Sequence, residues 1–198
     1  MKLYYTPGAC SLADHIALHE ANLSFEREKV DLKTKQTESG ANYLEINPKG
    51  YVPALAIPGG GQVLTENIAI LDWIAAQAPA LVPDVELGRT RLLEMLAFIS
   101  TEIHKSYKPF FAGGSDEDKA RAADMLGKRF GQIAAMFEGD YLFGERVSAA
   151  DAYLFVMLTW AEKMGVAIPA ALESFKQRML ARPAVIAALT HEGLLQDA

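Results

Sequence analysis

Residues 47–73 constrain the fold of this chain more than any other stretch. Residues 54–57 form a short apolar segment, residues 58–61 can supply the positive φ of a tight reversal, and residues 62–64 can pair back as a second strand. The stretch therefore predicts a β-hairpin. Val52 and Pro53 lie just before it. If the bond between them is cis, the Val52 backbone faces outward and can pair with an extended peptide.

A helix is predicted directly after the hairpin, over residues 66–77. Thr65 stands at its N-cap position, and apolar side chains recur three and four residues apart. The unpaired N–H groups and the dipole at such a helix start favour a carboxylate, whereas Glu66 and Asn67 in the same turn suit a free amino group. An α-amino acid carries both groups. The same residues are also those of an ordinary hairpin followed by a capped helix, so the pattern alone leaves both interpretations open.

The motif Asn-Pro-x-Gly-x-Val-Pro-x-Leu at residues 47–55, followed by Leu-Thr-Glu at 64–66, resembles the glutathione site of the cytosolic glutathione S-transferases. Residues 1–11, 37–40 and 102–105 resemble the bacterial beta class, so the resemblance covers the chain nearly end to end. It implies a detoxifying enzyme that conjugates glutathione, its co-substrate, to small hydrophobic electrophiles without a bound cofactor. The alternative is a non-catalytic member of the same fold that carries ligands or serves in stress.

The resemblance also implies roles for individual residues. The Val52 backbone would pair with the cysteinyl part of glutathione, and Lys35 would meet the glycyl carboxylate. Glu66 and Asn67, with the helix start, would hold the γ-glutamyl end. The residues expected to bind glutathione are Cys10, Lys35, Val52, Pro53, Glu66, Asn67, Thr101, His104 and Lys105, of which Cys10 and His104 are expected to be catalytic.

Two positions depart from the family pattern. Asn67 stands where serine is usual, but it keeps a donor and an acceptor, so we expect tuning of the site. Ala97 stands where beta-class relatives tend to carry asparagine. One hydrogen bond to the γ-glutamyl group would then be missing, at a cost of about 0.5 to 1.5 kcal/mol. The affinity for glutathione is therefore expected to be reduced, which also favours the non-catalytic alternative slightly.

Cys10, the single cysteine, is predicted to lie at the start of the first helix. Residues 3–6 are predicted to form a strand, and Ser11 is the expected helix cap. The helix start favours the thiolate, which predicts a lowered thiol pKa and a mixed disulfide with glutathione. By resemblance, His104 and Lys105 add positive potential there. A small buried hydrophobe is the alternative.

Two domains are predicted, with residues 78–84 as a proline-punctuated connector. Residues 1–80 are predicted to be an α/β domain of order β-α-β-α-β-β-α, which is thioredoxin-like by resemblance. Its segment 25–32 alternates with few apolar members, which predicts an edge strand. Residues 86–198 are predicted to be all-α and to hold the electrophile pocket.

The second domain shows helical spacing throughout. One helix is predicted to run up to Pro109, and its polar stripe with Thr101, His104 and Lys105 would face the cleft. Ser148 and Asp151 form an acidic capping box before a helix that is apolar nearly all round and therefore buried. The expected pocket lining is Ala9, Phe110, Phe111, Tyr153 or Trp160.

Composition and motifs exclude several classes of function. A formal net charge of -6 argues against nucleic acid or an anionic membrane as partner, and no charged-then-apolar leader or long apolar run is present. We therefore expect a cytoplasmic protein, and by resemblance a homodimer that pairs near Trp73 and along a helix starting at Glu86. No Gly-x-Ser-x-Gly elbow occurs, and residues 59–61 lack the Lys-Ser/Thr of a phosphate loop. His15 and His19 have a zinc-compatible spacing without an internal glutamate, so no metal is predicted.

Overall fold

The computed structural model describes residues 1–59, 61–137 and 139–195. Gly60, part of the predicted hairpin reversal, and residues 196–198 of the predicted helical domain lie outside the described residues. The strands are β1 (Lys2–Tyr5), β2 (Glu26–Asp31), β3 (Gln36–Thr37), β4 (Ala54–Ala56) and β5 (Val63–Thr65). The helices are α1 (Ser11–Glu20), α2 (Tyr43–Ile46), α3 (Asn67–Gln77), α4 (Gly88–Phe98), α5 (Lys108–Phe111), α6 (Asp116–Ala134), α7 (Ala149–Met164), α8 (Ala170–Leu180) and α9 (Pro183–His191).

The five strands form one mixed sheet in the order β3-β2-β1-β4-β5. β1 and β2 are parallel and the other neighbours are antiparallel, which includes the predicted hairpin of β4 and β5. Side chains alternate across β1: Leu3 packs into the core with α1 and α3, whereas Tyr4 packs with Tyr43 of α2 on the other face. The predicted element order is confirmed, with the two-residue β3 as an addition.

The prediction that β2 is the sheet edge is wrong. β3 pairs with its end at Val30 and Asp31, so β2 lies inside the sheet. Its charged residue Glu28 is buried because Lys2 Nζ donates to its carboxylate at 2.9 Å and the Ser39 hydroxyl donates to the other oxygen. An inner strand that contains a buried charge with such partners can therefore have the same sequence pattern as an exposed edge strand.

Two predicted helix caps are also wrong. α1 begins at Ser11 with Cys10 at the N-cap, and the Ser11 hydroxyl instead bonds to the Thr6 backbone. Thr65 ends β5, and Glu66 precedes α3. Serine and threonine are both common N-cap residues, but in each case the N-cap position lies one residue away from the predicted one.

The helical half is built around α7, which is buried along almost its whole length, as its sequence predicts. The predicted helix up to Pro109 is interrupted: a wide π-type turn at Ile99–Ile103 follows α4, and a tight 3-10 turn follows at His104–Tyr107. α4 also begins at Gly88, two residues later than the predicted start at Glu86. Within residues 1–59, 61–137 and 139–195, no helix has the length and apolar character that a bilayer crossing requires.

Candidate active site

A cavity of about 680 Å³ opens between the sheet half and the helical half. The sheet half contributes the loop before α1, the segment before β4 and the start of α3. The helical half contributes the irregular turns after α4 and one face of α7. The lining residues are Pro7, Gly8, Ala9, Cys10, Leu32, Tyr51, Val52, Pro53, Glu66, Asn67, Ser100, His104, Lys105, Phe111, Tyr153 and Trp160. We call this cavity the cleft.

The cleft brings together most of the residues predicted to bind glutathione. Those in its lining are Cys10, Val52, Pro53, Glu66, Asn67, His104 and Lys105. Lys35 and Thr101 are not in the lining. Of the predicted electrophile residues, Ala9, Phe111, Tyr153 and Trp160 line the cleft and Phe110 does not.

The two residues outside the lining have other partners. Lys35 Nζ donates to the carbonyl of Gly50 at 2.5 Å. Thr101 is exposed and its hydroxyl donates to the Ala97 carbonyl at 2.9 Å, so its contact with glutathione stays a prediction. A π-type turn takes more residues per turn than an α-helix and changes which side chains share a face. Ser100, four residues before His104, lines the cleft instead.

The Val52 backbone lies outside the sheet ladder and can pair with an extended ligand. The bond from Val52 to Pro53 is cis, the arrangement on which the sequence prediction depended. Val52 lies outside β4, and among the described residues its N–H and carbonyl take no part in the sheet ladder. The Cys10 thiol approaches its carbonyl at 3.5 Å. An incoming peptide could therefore pair with this backbone without breaking a strand.

The start of α3 has a strained backbone at Glu66, a charged side chain at the same residue and an unpaired side-chain amide oxygen at Asn67. Glu66 has a φ of 74°, an uncommon value for a residue with a side chain. Lys49 Nζ at 2.5 Å and the Tyr51 hydroxyl at 3.0 Å both donate to its Oε1, and the Lys49 bond is the main reason why the pKa of Glu66 is lowered. Asn67 Nδ2 donates to the Cys10 carbonyl at 3.2 Å, while its buried Oδ1 has no partner among the described residues.

Burial dominates the chemistry of the Cys10 thiol. Burial and then the nearby Asp14 raise its pKa to about 12, although the N–H groups of Cys10 and Ser11 act in the opposite direction. The prediction of a lowered thiol pKa is therefore wrong. Asp14 itself is fully buried, and both of its carboxylate oxygens are unpaired among the described residues. Burial raises the pKa of Asp14 as well.

His104 is held as a neutral imidazole. Burial lowers its pKa to about 4, so the expected positive potential from His104 is absent at pH 7. Its Nδ1 lies 2.6 Å from the Tyr153 hydroxyl. When the hydroxyl donates to Nδ1, the Nε2–H of the ring is the remaining donor. Trp160 packs edge-on against the same ring and fixes it from the side.

Several lining residues were not predicted. Tyr51 is the variable position between Gly50 and Val52 in the loop motif. An aromatic residue at that position was the feature of the sequence that could have indicated a role in the site. Gly8 has a φ of 70°, a conformation that glycine adopts without a Cβ clash. Its carbonyl accepts a hydrogen bond from Trp160 Nε1 at 2.8 Å, which ties the loop before α1 to α7.

Outside the cleft, the structure gathers three histidines. His15 and His19 of α1 meet His191 at the end of α9, and one ring nitrogen from each lies within 4.8 Å of the others. The sequence spacing showed only the first two. The third histidine comes from the far end of the chain.

Comparison with known proteins identifies the family. Residues 9–77 match the family model described as glutathione S-transferase, N-terminal domain, and residues 83–183 match the C-terminal domain of the same enzymes. Glutathione S-transferase GstA of Escherichia coli O157:H7 is 39% identical over 98% of this chain and 100% of the relative.

Two solved structures cover 98% of this chain and 100% of their own. A sphingomonad glutathione S-transferase complexed with glutathione has a TM-score of 0.90 and 46% identity. A bacterial beta-class glutathione S-transferase from Sphingomonas chungbukensis has a TM-score of 0.89 and 44% identity.

These matches run through both halves of the chain, and they coincide with a cleft built where the two halves meet. The chain belongs to the glutathione S-transferase family. Within that family it belongs with the bacterial beta class, as the loop and helix motifs indicated.

Proposed function

We propose that this protein is a glutathione transferase that conjugates glutathione to small hydrophobic electrophiles. The observation that carries the proposal is the composition of the cleft. One side offers the Val52 backbone, which takes no part in the sheet ladder, and a helix start at Asn67, whereas the other offers the aromatic side chains of Phe111, Tyr153 and Trp160. A polar tripeptide and an apolar second substrate therefore have separate places in one cavity.

Glutathione is proposed to lie extended along the sheet half. Its cysteinyl backbone pairs with Val52, and its α-carboxylate accepts from the N–H groups at the start of α3. Its amino group approaches the Glu66 carboxylate, which already accepts from Lys49 and Tyr51. The glycyl carboxylate contact of Lys35 stays a prediction; its ammonium donates to the Gly50 carbonyl and has further N–H donors for a carboxylate.

The proposed chemistry takes place at the glutathione sulfur. The thiol loses its proton to solvent, the sulfur attacks an electrophilic carbon, and a leaving group such as chloride departs with the bonding electrons. The backbone N–H groups at the start of α1 and the Nε2–H of neutral His104 stabilise the thiolate by hydrogen bonds. Lys105, which lines the cleft with an exposed side chain, contributes a positive charge.

Organisation beyond the cleft is also proposed. We retain the division into a glutathione-binding unit of residues 1–80 and a helical unit of residues 86–198. A two-fold homodimer near Trp73 and α4 stays a prediction, and sedimentation showing only monomer at micromolar concentration would contradict it. A cytoplasmic location and the lack of a bound cofactor are likewise predictions, which cell fractionation and mass spectrometry of the native protein can check.

The test combines a glutathione-affinity column with an assay on 1-chloro-2,4-dinitrobenzene. We expect retention and turnover. Glu66→Gln should raise the KM for glutathione about tenfold with a smaller change in kcat, because the lost charge acts on binding of the amino group. Glu117→Gln, a matched change on an exposed side chain of α6 whose ionic partner is Arg121, should leave both constants unchanged. Retention without turnover, or neither, would support the non-catalytic alternative.

A further inference from the structure

The three histidines outside the cleft form an organised cluster at the junction of α1 and α9. His15 and His19 lie one helical turn apart, and His191 is the last residue of α9. The ring centroid of His15 is 5.2 Å from that of His19 and 5.7 Å from that of His191. His15 and His191 are nearly parallel, with an interplanar angle of 12°.

We propose that His15, His19 and His191 bind one divalent transition-metal ion, with Zn²⁺ as the best match. Three imidazoles and a water molecule are a common tetrahedral zinc set, and imidazole suits zinc better than it suits the oxygen-preferring ions. A tetrahedral ion with bonds of about 2.0 to 2.1 Å needs nitrogens about 3.4 Å apart. The nitrogens lie within 4.8 Å of one another and the rings of His15 and His191 are nearly parallel, so binding requires the side chains to rotate, above all that of exposed His191.

His15 has the support that metal-binding histidines usually have. Its side chain is fully buried, and its Nδ1 lies 2.9 Å from Glu192 Oε1. A carboxylate that accepts from Nδ1–H fixes the tautomer and leaves the lone pair of Nε2 for a metal. Nε2 of His15 and Nε2 of His19 are both buried, and neither has a hydrogen-bond partner among the described residues. Such unpaired nitrogens are unusual in a packed interior.

The groups around the cluster have mixed charge. The positive charge of nearby Arg27 opposes a cation. The acidic side chain that contacts the cluster is Glu192, through its Oε1 next to His15 Nδ1.

The proposed ion would join the two halves of the molecule. α1 belongs to the sheet half and α9 to the helical half. Glu192 Oε2 also accepts from the Gly8 N–H at 2.8 Å, so the same carboxylate contacts the loop that lines the cleft. The site itself is separate from the cleft lining. We therefore expect an effect on stability, and catalysis does not require the ion.

The test uses tag-free protein that has been stripped with a chelator. Titration with Co²⁺, followed by the visible bands of tetrahedral cobalt, and calorimetric titration with Zn²⁺ should each give one ion per chain. His191→Gln should weaken binding at least tenfold and remove the rise in melting temperature that Zn²⁺ causes in the wild type. His19→Gln is a second variant with the same expectation, in case the first does not fold.

His104→Gln is the matched control, since it removes the fourth histidine of the chain and leaves the cluster intact. It should bind Co²⁺ and Zn²⁺ like the wild type. Wild-type binding no tighter than that of His191→Gln would overturn the proposal, as would loss of binding in His104→Gln. In either case the three rings have only a packing role.

Discussion

Cys10 and His104 line the same cleft, and burial shifts the pKa of each toward its uncharged form. The thiol pKa is raised and the imidazole pKa is lowered, as expected when desolvation outweighs nearby dipoles. The resting cleft therefore holds a neutral thiol beside a neutral ring. Neither serves as a charged partner for glutathione at pH 7, so we expect hydrogen bonds from N–H donors and the charge of Lys105 to stabilise its thiolate.

The pH dependence of turnover tests the state of His104. With a folded pKa of about 4, the ring stays neutral at all pH values above about 5 and gains charge only below that. We expect His104→Gln to lower kcat about tenfold or more through the lost hydrogen bond to the thiolate, with no change in the shape of the profile from pH 6 to 8. A wild-type inflection near pH 6.5 that disappears in His104→Gln would show instead that the ring titrates in the active enzyme.

The reactivity of Cys10 should rise with pH. Mixed-disulfide formation needs a thiolate, and a pKa of about 12 means that the thiolate fraction grows about tenfold per pH unit between pH 7 and 9. Intact mass spectrometry after incubation with oxidised glutathione measures the adduct. Because the chain has a single cysteine, Cys10→Ser should gain none. A rate that does not change over this range would mean that the thiol is already ionised.

At the scale of elements, the start of α7 is held by a buried capping box. Asp151 Oδ2 accepts from the N–H of Ser148 at 2.7 Å and from its hydroxyl at 2.6 Å, while Oδ1 accepts from the Leu142 N–H at 2.9 Å. All of these groups are buried. The carboxylate thus starts the central helix and also fixes the loop before it.

Substitutions at this helix start should differ in cost. Ser148→Ala should lower the free energy of unfolding by about 1 to 2 kcal/mol, the usual range for a cap. Asp151→Ala should lower it by about 3 kcal/mol or more, because it leaves the Leu142 and Ser148 N–H groups buried and unpaired. Urea denaturation measures both. Ser115→Ala removes the same type of capping box from the exposed start of α6 and should cost less than either; equal losses would mean that burial adds nothing.

Elements defined by local pattern were predictable, and features defined by contact across the chain were not. Residue spacing within each segment predicts the hairpin of β4 and β5 and the helix α7, which is apolar on all sides. Ser100 lines the cleft within a π-type turn that changes the helical register. No local sequence pattern predicts that turn. His191 joins His15 only because α9 packs on α1, a contact between the two ends of the chain.

At the scale of the whole molecule, the two halves share one apolar core. It extends from Leu3 of β1 to Leu189 of α9, and α1 packs against both α7 and α9. Gly8 reinforces this junction, because its N–H donates to Glu192 and its carbonyl accepts from Trp160. Separation of the halves would expose a face of α1 that is now fully covered. The two structural units should therefore not be independent in stability.

This shared core predicts that the sheet half and the helical half unfold together. The chain has two tryptophans, Trp73 in α3 and Trp160 in α7, so Trp160→Phe and Trp73→Phe each leave a reporter in one half. In urea at a fixed protein concentration, the fluorescence of each variant and its far-UV circular dichroism should give the same midpoint, as expected for a single cooperative transition. Trp160→Phe also loses the bond to Gly8, so its midpoint is compared with its own circular dichroism and not with that of Trp73→Phe. A fluorescence midpoint that differs from the circular dichroism midpoint in either variant would show that one half unfolds first and that contacts across the cleft do not couple them.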